Sequence, residues 1–165
     1  SAVTFNGINA GTATAWSDTE ITVNIPVGAT TGSVIVSVNG FPSNATTFNG
    51  CASDVSGQIS INRGGFRYNR MTRHYVQQIA LMNTSNTVIA GPISLALDNL
   101  TSNATLINKS GDTSCATPVS SYITVDVGAD NVLSAGESSS VILEFVNPTN
   151  TAIGYTPRVL TGTTK

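Results

Sequence analysis

Apolar and polar residues alternate from the first positions of the chain, with Val3 and Phe5 on one side of a strand and Ala2 and Thr4 on the other. The same period of two places Ile21, Val23 and Ile25 on one face of "ITVNIP", and Val34, Val36 and Val38 on one face of "GSVIVSVNG". Between them "PVGATTG" supplies proline and glycine punctuation, and "NGFPSNATTF" reads as a turn followed by another strand. The first part of the chain therefore predicts a short meander. From Cys51 onward a second set of strands follows: "GQISIN", "FRYNRMTRHYVQQIALMN", "ISLALD", "NATLIN", "YITVDV", "SSSVILEFVNP" and "YTPRVL". Ile93, Leu95 and Leu97 share one face, as do Val141, Leu143 and Phe145. Seven such strands with turn residues at each junction are the sequence outline of an Ig-like sandwich.

Within residues 1–49, "VTFNG", "WSDTEITVNIPVGATTGSVIVSVNG" and "SNATTF" together resemble the IPT/TIG immunoglobulin-like domain of bacterial secreted and surface proteins. In that family two further strands precede the one matching "VTFNG", and the resemblance places Trp16 against the core. Without those strands, the inward faces of Val23, Ile25, Val34 and Val36 are expected to be partly uncovered, a strand acceptor for a segment supplied from elsewhere. Further on, "LSAGESSSVILEF" and "NPTNTAIGY" resemble the last hairpin of Ig-like accessory domains at the C-termini of large bacterial exported proteins.

Composition sharpens the all-β reading. Charged residues make up only 10% of the chain, against roughly 25% in an ordinary soluble domain. Ser, Thr, Asn and Gly fill the gap, a surface that suits pleated sheets facing water and suits helices poorly. A net charge of -2 gives no field that would hold a nucleic-acid backbone or an anionic membrane. No apolar run has the length of a bilayer span, so membrane insertion is not expected.

Two cysteines, Cys51 and Cys115, have neither C-x-x-C spacing nor histidine ligands beside them. One intrachain disulfide is the simplest use and calls for an oxidising compartment, with two buried thiols as the alternative. Five N-x-S/T sequons, at Asn44, Asn83, Asn99, Asn103 and Asn108, follow from a composition rich in Asn, Ser and Thr.

Catalytic constellations are not legible. There is no G-x-S-x-G, and the single histidine, His74, sits on a predicted strand beside Tyr75. The acidic residues fall mostly at turns; in "DVGADN", Asp126, Asp130 and Asn131 read as turn formers, because the spacing departs from a calcium loop. Lys109 and Lys165 are not placed like core isopeptide cross-links. The one concentration of charge is "NRGGFRYNRMTRHY", where Arg63, Arg67, Arg70 and Arg73 interleave with Phe66, Tyr68 and Tyr75. Such a hairpin either grips an anionic glycan or a carboxylate-bearing protein surface, or protects a long sheet edge from aggregation.

The sequence thus predicts an all-β chain of two Ig-like β-sandwiches in series: residues 1–49, lacking the N-terminal strands, and the seven-stranded residues 50–165. The expected role is a non-catalytic structural or adhesive segment, secreted or at the cell surface, with no cofactor and no metal. Its expected partner is a copy of itself, head to tail in a filament, or the upstream part of the same protein. The alternative is a glycan-binding or spacer module of a larger secreted hydrolase or adhesin.

Overall fold

The computed structural model describes residues 1–26, 29, 31–48, 50–114 and 116–164. The described chain is all-β, with one short 3-10 turn at Ser56–Gln58. It divides into two compact units, Ser1–Cys51 and Ala52–Lys165, just past the 49/50 junction read from sequence.

In the first unit the central strand is Gly32–Val38. Ala2–Phe5 runs antiparallel along one side of it, setting Val3 opposite Val36 and Phe5 opposite Val34. Phe41–Pro42 and Thr46–Phe48 pair along its other side. Two Asn-Gly pairs make the tight turns: Asn6-Gly7 joins Ala2–Phe5 to Ile8–Asn9, and Asn39-Gly40 joins Gly32–Val38 to Phe41–Pro42. All four of these residues have positive φ, the geometry a two-residue hairpin loop requires and the reason Asn-Gly is selected there.

The "ITVNIP" segment departs from expectation. Its strand is only Ile21–Thr22, paired with Ala15–Trp16 in a separate two-stranded ribbon. Pro26 has no N–H to extend a ladder, and Ile25 is 61% exposed. Trp16, which the family resemblance put against the core, is 40% exposed, because among the described residues this ribbon pairs with no other strand. Among the described residues of this unit, only Val3 and Phe5 are buried apolar side chains.

The second unit is better filled. One sheet centres on His74–Asn83 and Ser138–Val146, which pair along most of their length. Ile59–Arg63 and Arg67–Asn69 line the outer edge of His74–Asn83, and Thr105–Leu106 lies beside Ser138–Val146. The other sheet runs in the order Gly111–Asp112, Ser121–Val125, Ile93–Asp98, Thr156–Thr161, Ser53–Asp54. Ile79, Leu81, Leu143 and Phe145 from the first sheet meet Ile93, Leu95, Leu97 and Val159 from the second in one core. Each of these eight side chains is essentially without solvent contact, and together they form the main apolar stabilisation of the fold. The short pairs Ile89–Ala90 with Val132–Leu133, together with Gly111–Asp112 and Ser53–Asp54, are additions that a two-residue pattern could not announce.

Ile93–Asp98 is buried on both faces. Its outward residues are covered by a smaller cluster of Ala96, Ala116, Tyr122 and Leu160 and by a polar lock. Asp98 and Arg158 pair at 2.8 Å, Ser120 donates to Asp98 Oδ1 at 2.5 Å, and Arg158 donates to the carbonyls of Thr117 and Pro118.

Candidate functional site

The arginine-rich hairpin is built around a glycine step. Gly64 N donates to the Gln78 carbonyl at 2.8 Å, and Gln77 Nε2 donates to the Gly64 carbonyl at 2.6 Å. A Cβ on Gly64 would lie 3.0 Å from the Gln78 oxygen. The close approach therefore selects glycine, and the edge strand is interrupted between Ile59–Arg63 and Arg67–Asn69. Beyond it, Asn69 Oδ1 accepts from the Met71 and Thr72 amides, and Arg73 N donates to the Asn69 carbonyl. Arg73 closes this turn at φ +61°.

Strand alternation then sorts the seven residues singled out in the sequence. Tyr68 is opposite Tyr75 in the ladder, so both point to the core side. Their rings lie 5.1 Å apart, tilted by 54°. Phe66 meets the buried Phe145 ring at 5.8 Å. Arg67 is opposite Val76 and takes the other face. Arg63 serves the sandwich itself, since its guanidinium lies 4.1 Å from the Tyr155 ring centre and donates to the Tyr155 carbonyl. Arg70 is exposed at the turn.

Phe66, Tyr68, Arg73 and Tyr75 together form one wall of a groove at the end of this sandwich. The opposite wall is the turn following Ser138–Val146, with Asn147, Pro148 and Asn150. The groove has a volume of about 640 Å³ at Tyr68 and Arg73 and continues as a smaller cavity beside Phe66 and Ile153. Asn147 organises the second wall: it donates to the Thr151 carbonyl at 2.6 Å and accepts from Thr149 and Asn103. Tyr75 links the two walls by donating its hydroxyl to Asn150 Oδ1. The sequence offered one signal for this wall, the polar turn "NPTNT" at the end of the strand that carries Phe145 opposite Tyr75.

In the first unit the proposed acceptor residues are not uniformly placed. Val34 and Val36 share the face of Phe5 and Val3 and are half-buried, Val23 is half-buried, and Ile25 stands out into solvent. Ile8, Val38 and Phe41 add to this exposed apolar surface, Phe41 at 79%.

The remaining candidates have local roles. His74 lies on the outer face, Nδ1 3.5 Å from Glu144 Oε2. Asp126 Oδ1 accepts from the Gly128 amide, which is turn chemistry. Lys109 pairs with Asp112 at 2.6 Å; this hydrogen bond, with one from Ser121, holds the Asp112 carboxyl below its usual range. Asn83 is buried, donating to the carbonyls of Thr87 and Leu133. Asn108 bridges the Ile142 carbonyl and the Glu144 amide. Cys51 is exposed, while Cys115, like Lys165, lies outside the described residues, so the pairing expected of the two cysteines does too.

Among the described residues no group of His, Cys, Asp and Glu side chains is arranged to hold a metal ion. No helix among them is long and apolar enough to cross a membrane. Comparison with known proteins returned no matching family model, no matching curated protein and no matching solved structure. The likeness of residues 1–49 to the IPT/TIG unit is carried by their own sequence alone.

Proposed function

We propose that this chain is a non-catalytic structural segment working outside the cell: two Ig-like sandwiches in series, the first of IPT/TIG type and completed by a strand from another copy. One observation carries the reading. The first unit has a well-paired central strand and yet buries only Val3 and Phe5 among its described apolar side chains, leaving Ile25, Val38 and Phe41 in solvent. The sheet face is covered at Val3 and Phe5, only partly at Val34 and Val36, and open at Val38 and Phe41, and an added strand would supply apolar contacts and backbone partners together. Head-to-tail donation is a heterologous contact, which propagates into a filament when its rotation does not close. The low charge of the chain opposes such association weakly.

Electron microscopy and sedimentation over a concentration series test this reading. Rods with a regular repeat and a rising mass are expected. Discrete monomers at every concentration would contradict it.

A further inference from the structure

We infer that the groove between the 66–75 hairpin and the 147–153 turn binds a saccharide that bears a carboxylate, with Arg73 as the carboxylate's partner. This site lies wholly in the second unit and stands independently of strand donation.

The strongest pointer is the backbone of Arg73. Among the described residues, six non-glycine positions have positive φ, and five of them are asparagine: Asn6, Asn39, Asn99, Asn131 and Asn150. Asparagine tolerates this region through its short polar side chain, whereas a long side chain is disfavoured there. The chain thus meets the same local demand with asparagine at five of the six positions, Asn150 on the facing wall of the groove included, and with arginine only at residue 73, whose side chain lines the groove. Strain of this kind, held by surrounding structure, is characteristic of binding sites.

Charge points the same way. The described ion pairs engage His74, Lys109 and Arg158, and Arg63 is committed to Tyr155. Arg73 has no acidic partner among the described residues, although acidic residues outnumber basic ones in the chain. Glu144 is opposite Val76 in the ladder, on the face away from Tyr75. A planar guanidinium so placed matches a carboxylate through two parallel hydrogen bonds. Beside it Tyr68, half-exposed at 51%, and Phe66 line the groove with aromatic surface of the kind on which the C–H side of a sugar ring packs. The Asn150 amide, with its oxygen taken by Tyr75, presents Nδ2 as a donor suited to a hydroxyl. Aromatic walls with a few convergent polar groups define a ligand groove.

The test is a titration of dilute ¹⁵N-labelled chain with tri-galacturonate and with 3′-sialyllactose, followed by amide shifts, alongside the methyl ester of tri-galacturonate. Saturable shifts at Tyr68, Arg73, Tyr75 and Asn150 are expected with at least one acidic sugar, and binding at least tenfold weaker for the ester. Arg73→Asn, which adopts the chain's own solution at such turns, should weaken binding at least tenfold while leaving the thermal midpoint unchanged or raised. Tyr68→Ala, at an exposed ring, should weaken binding as well. No shift with either acidic sugar, or equal binding by Arg73→Asn, would overturn the inference. So would the same amides shifting with protein concentration alone, which would assign the groove to a second copy.

Discussion

The Tyr155 hydroxyl donates to Gln77 Oε1 at 2.5 Å, joining the two sheets of the second unit through a pair of buried polar groups. Gln77 is held from its other side by the Gly64 carbonyl, and Arg63 lies over the Tyr155 ring. One network therefore fixes the glycine step of the arginine hairpin to the opposite sheet, which positions the wall that carries Tyr68, Arg73 and Tyr75. Satisfied polar networks of this kind specify one packing, because any partial version leaves a desolvated group unpaired.

Replacing Tyr155 with Phe leaves Gln77 Oε1 buried without that donor, and should cost about 1–3 kcal/mol in urea unfolding of the second unit. The same substitution changes the alkaline response. Burial raises the Tyr155 phenol above its ordinary value of 10.0, with Arg63 opposing the shift. The folded state thus keeps a proton that the unfolded chain releases, so stability is full below pH 10 and falls as pH rises through the raised value. In Tyr155→Phe that part of the alkaline loss should vanish, as unfolding series at pH 8 and above would show.

Asp98 and Arg158 are each about nine-tenths covered, and each has further hydrogen bonds from the 117–120 segment. Removing one charge from such a pair strands the other, at a typical cost of about 3–5 kcal/mol. Arg158→Met should therefore destabilise the second unit by that order, while Asp98→Leu combined with Arg158→Met should recover a large part of the loss. A double-mutant cycle by denaturant unfolding measures both.

Much of this architecture was legible in the sequence, and for definite reasons. Ile93, Leu95 and Leu97, and Val141, Leu143 and Phe145, obey the period of two because each set faces one core. The Asn-Gly turns of the first unit are equally readable, since few other pairs accept positive φ twice in succession. "ITVNIP" misled because alternation reports a face and not a neighbour: Ile25 fits the period yet stands largely in solvent. The site was half legible. Composition drew attention to the 63–75 hairpin, but pairing register decides that Tyr68 and Tyr75 face the groove while Arg67 faces away. Asn147 and Asn150 are remote from that hairpin in sequence, and only the Tyr75–Phe145 pairing brings their turn beside it.

Cys51 and Cys115 are expected to form one intrachain disulfide. Ala52 packs on the small cluster that contains Ala116, so residues adjoining both cysteines meet in the second unit. Non-reducing peptide mapping of protein produced in an oxidising compartment should recover one cross-linked peptide pair; two alkylatable thiols would contradict the pairing. Reduction should lower the unfolding midpoint while leaving the main core cooperative, because that core is built from other residues.

The central claim concerns the first unit, where Ile25 is exposed and Val23, Val34 and Val36 are half-buried, so that completing their cover would contribute on the order of a few kcal/mol before entropy, a sizeable part of the stability of a small domain. Hydrogen exchange on residues 1–165 measures this most directly, comparing dilute monodisperse monomer with the assembled form. The amides of Gly32–Val38 and of Ile21–Thr22 should exchange rapidly in the monomer and slowly after assembly, while Ile79 and Leu95 stay protected in both. Strong protection across Gly32–Val38 in the dilute monomer would show that the first unit is complete by itself, and strand donation would then have no driving force.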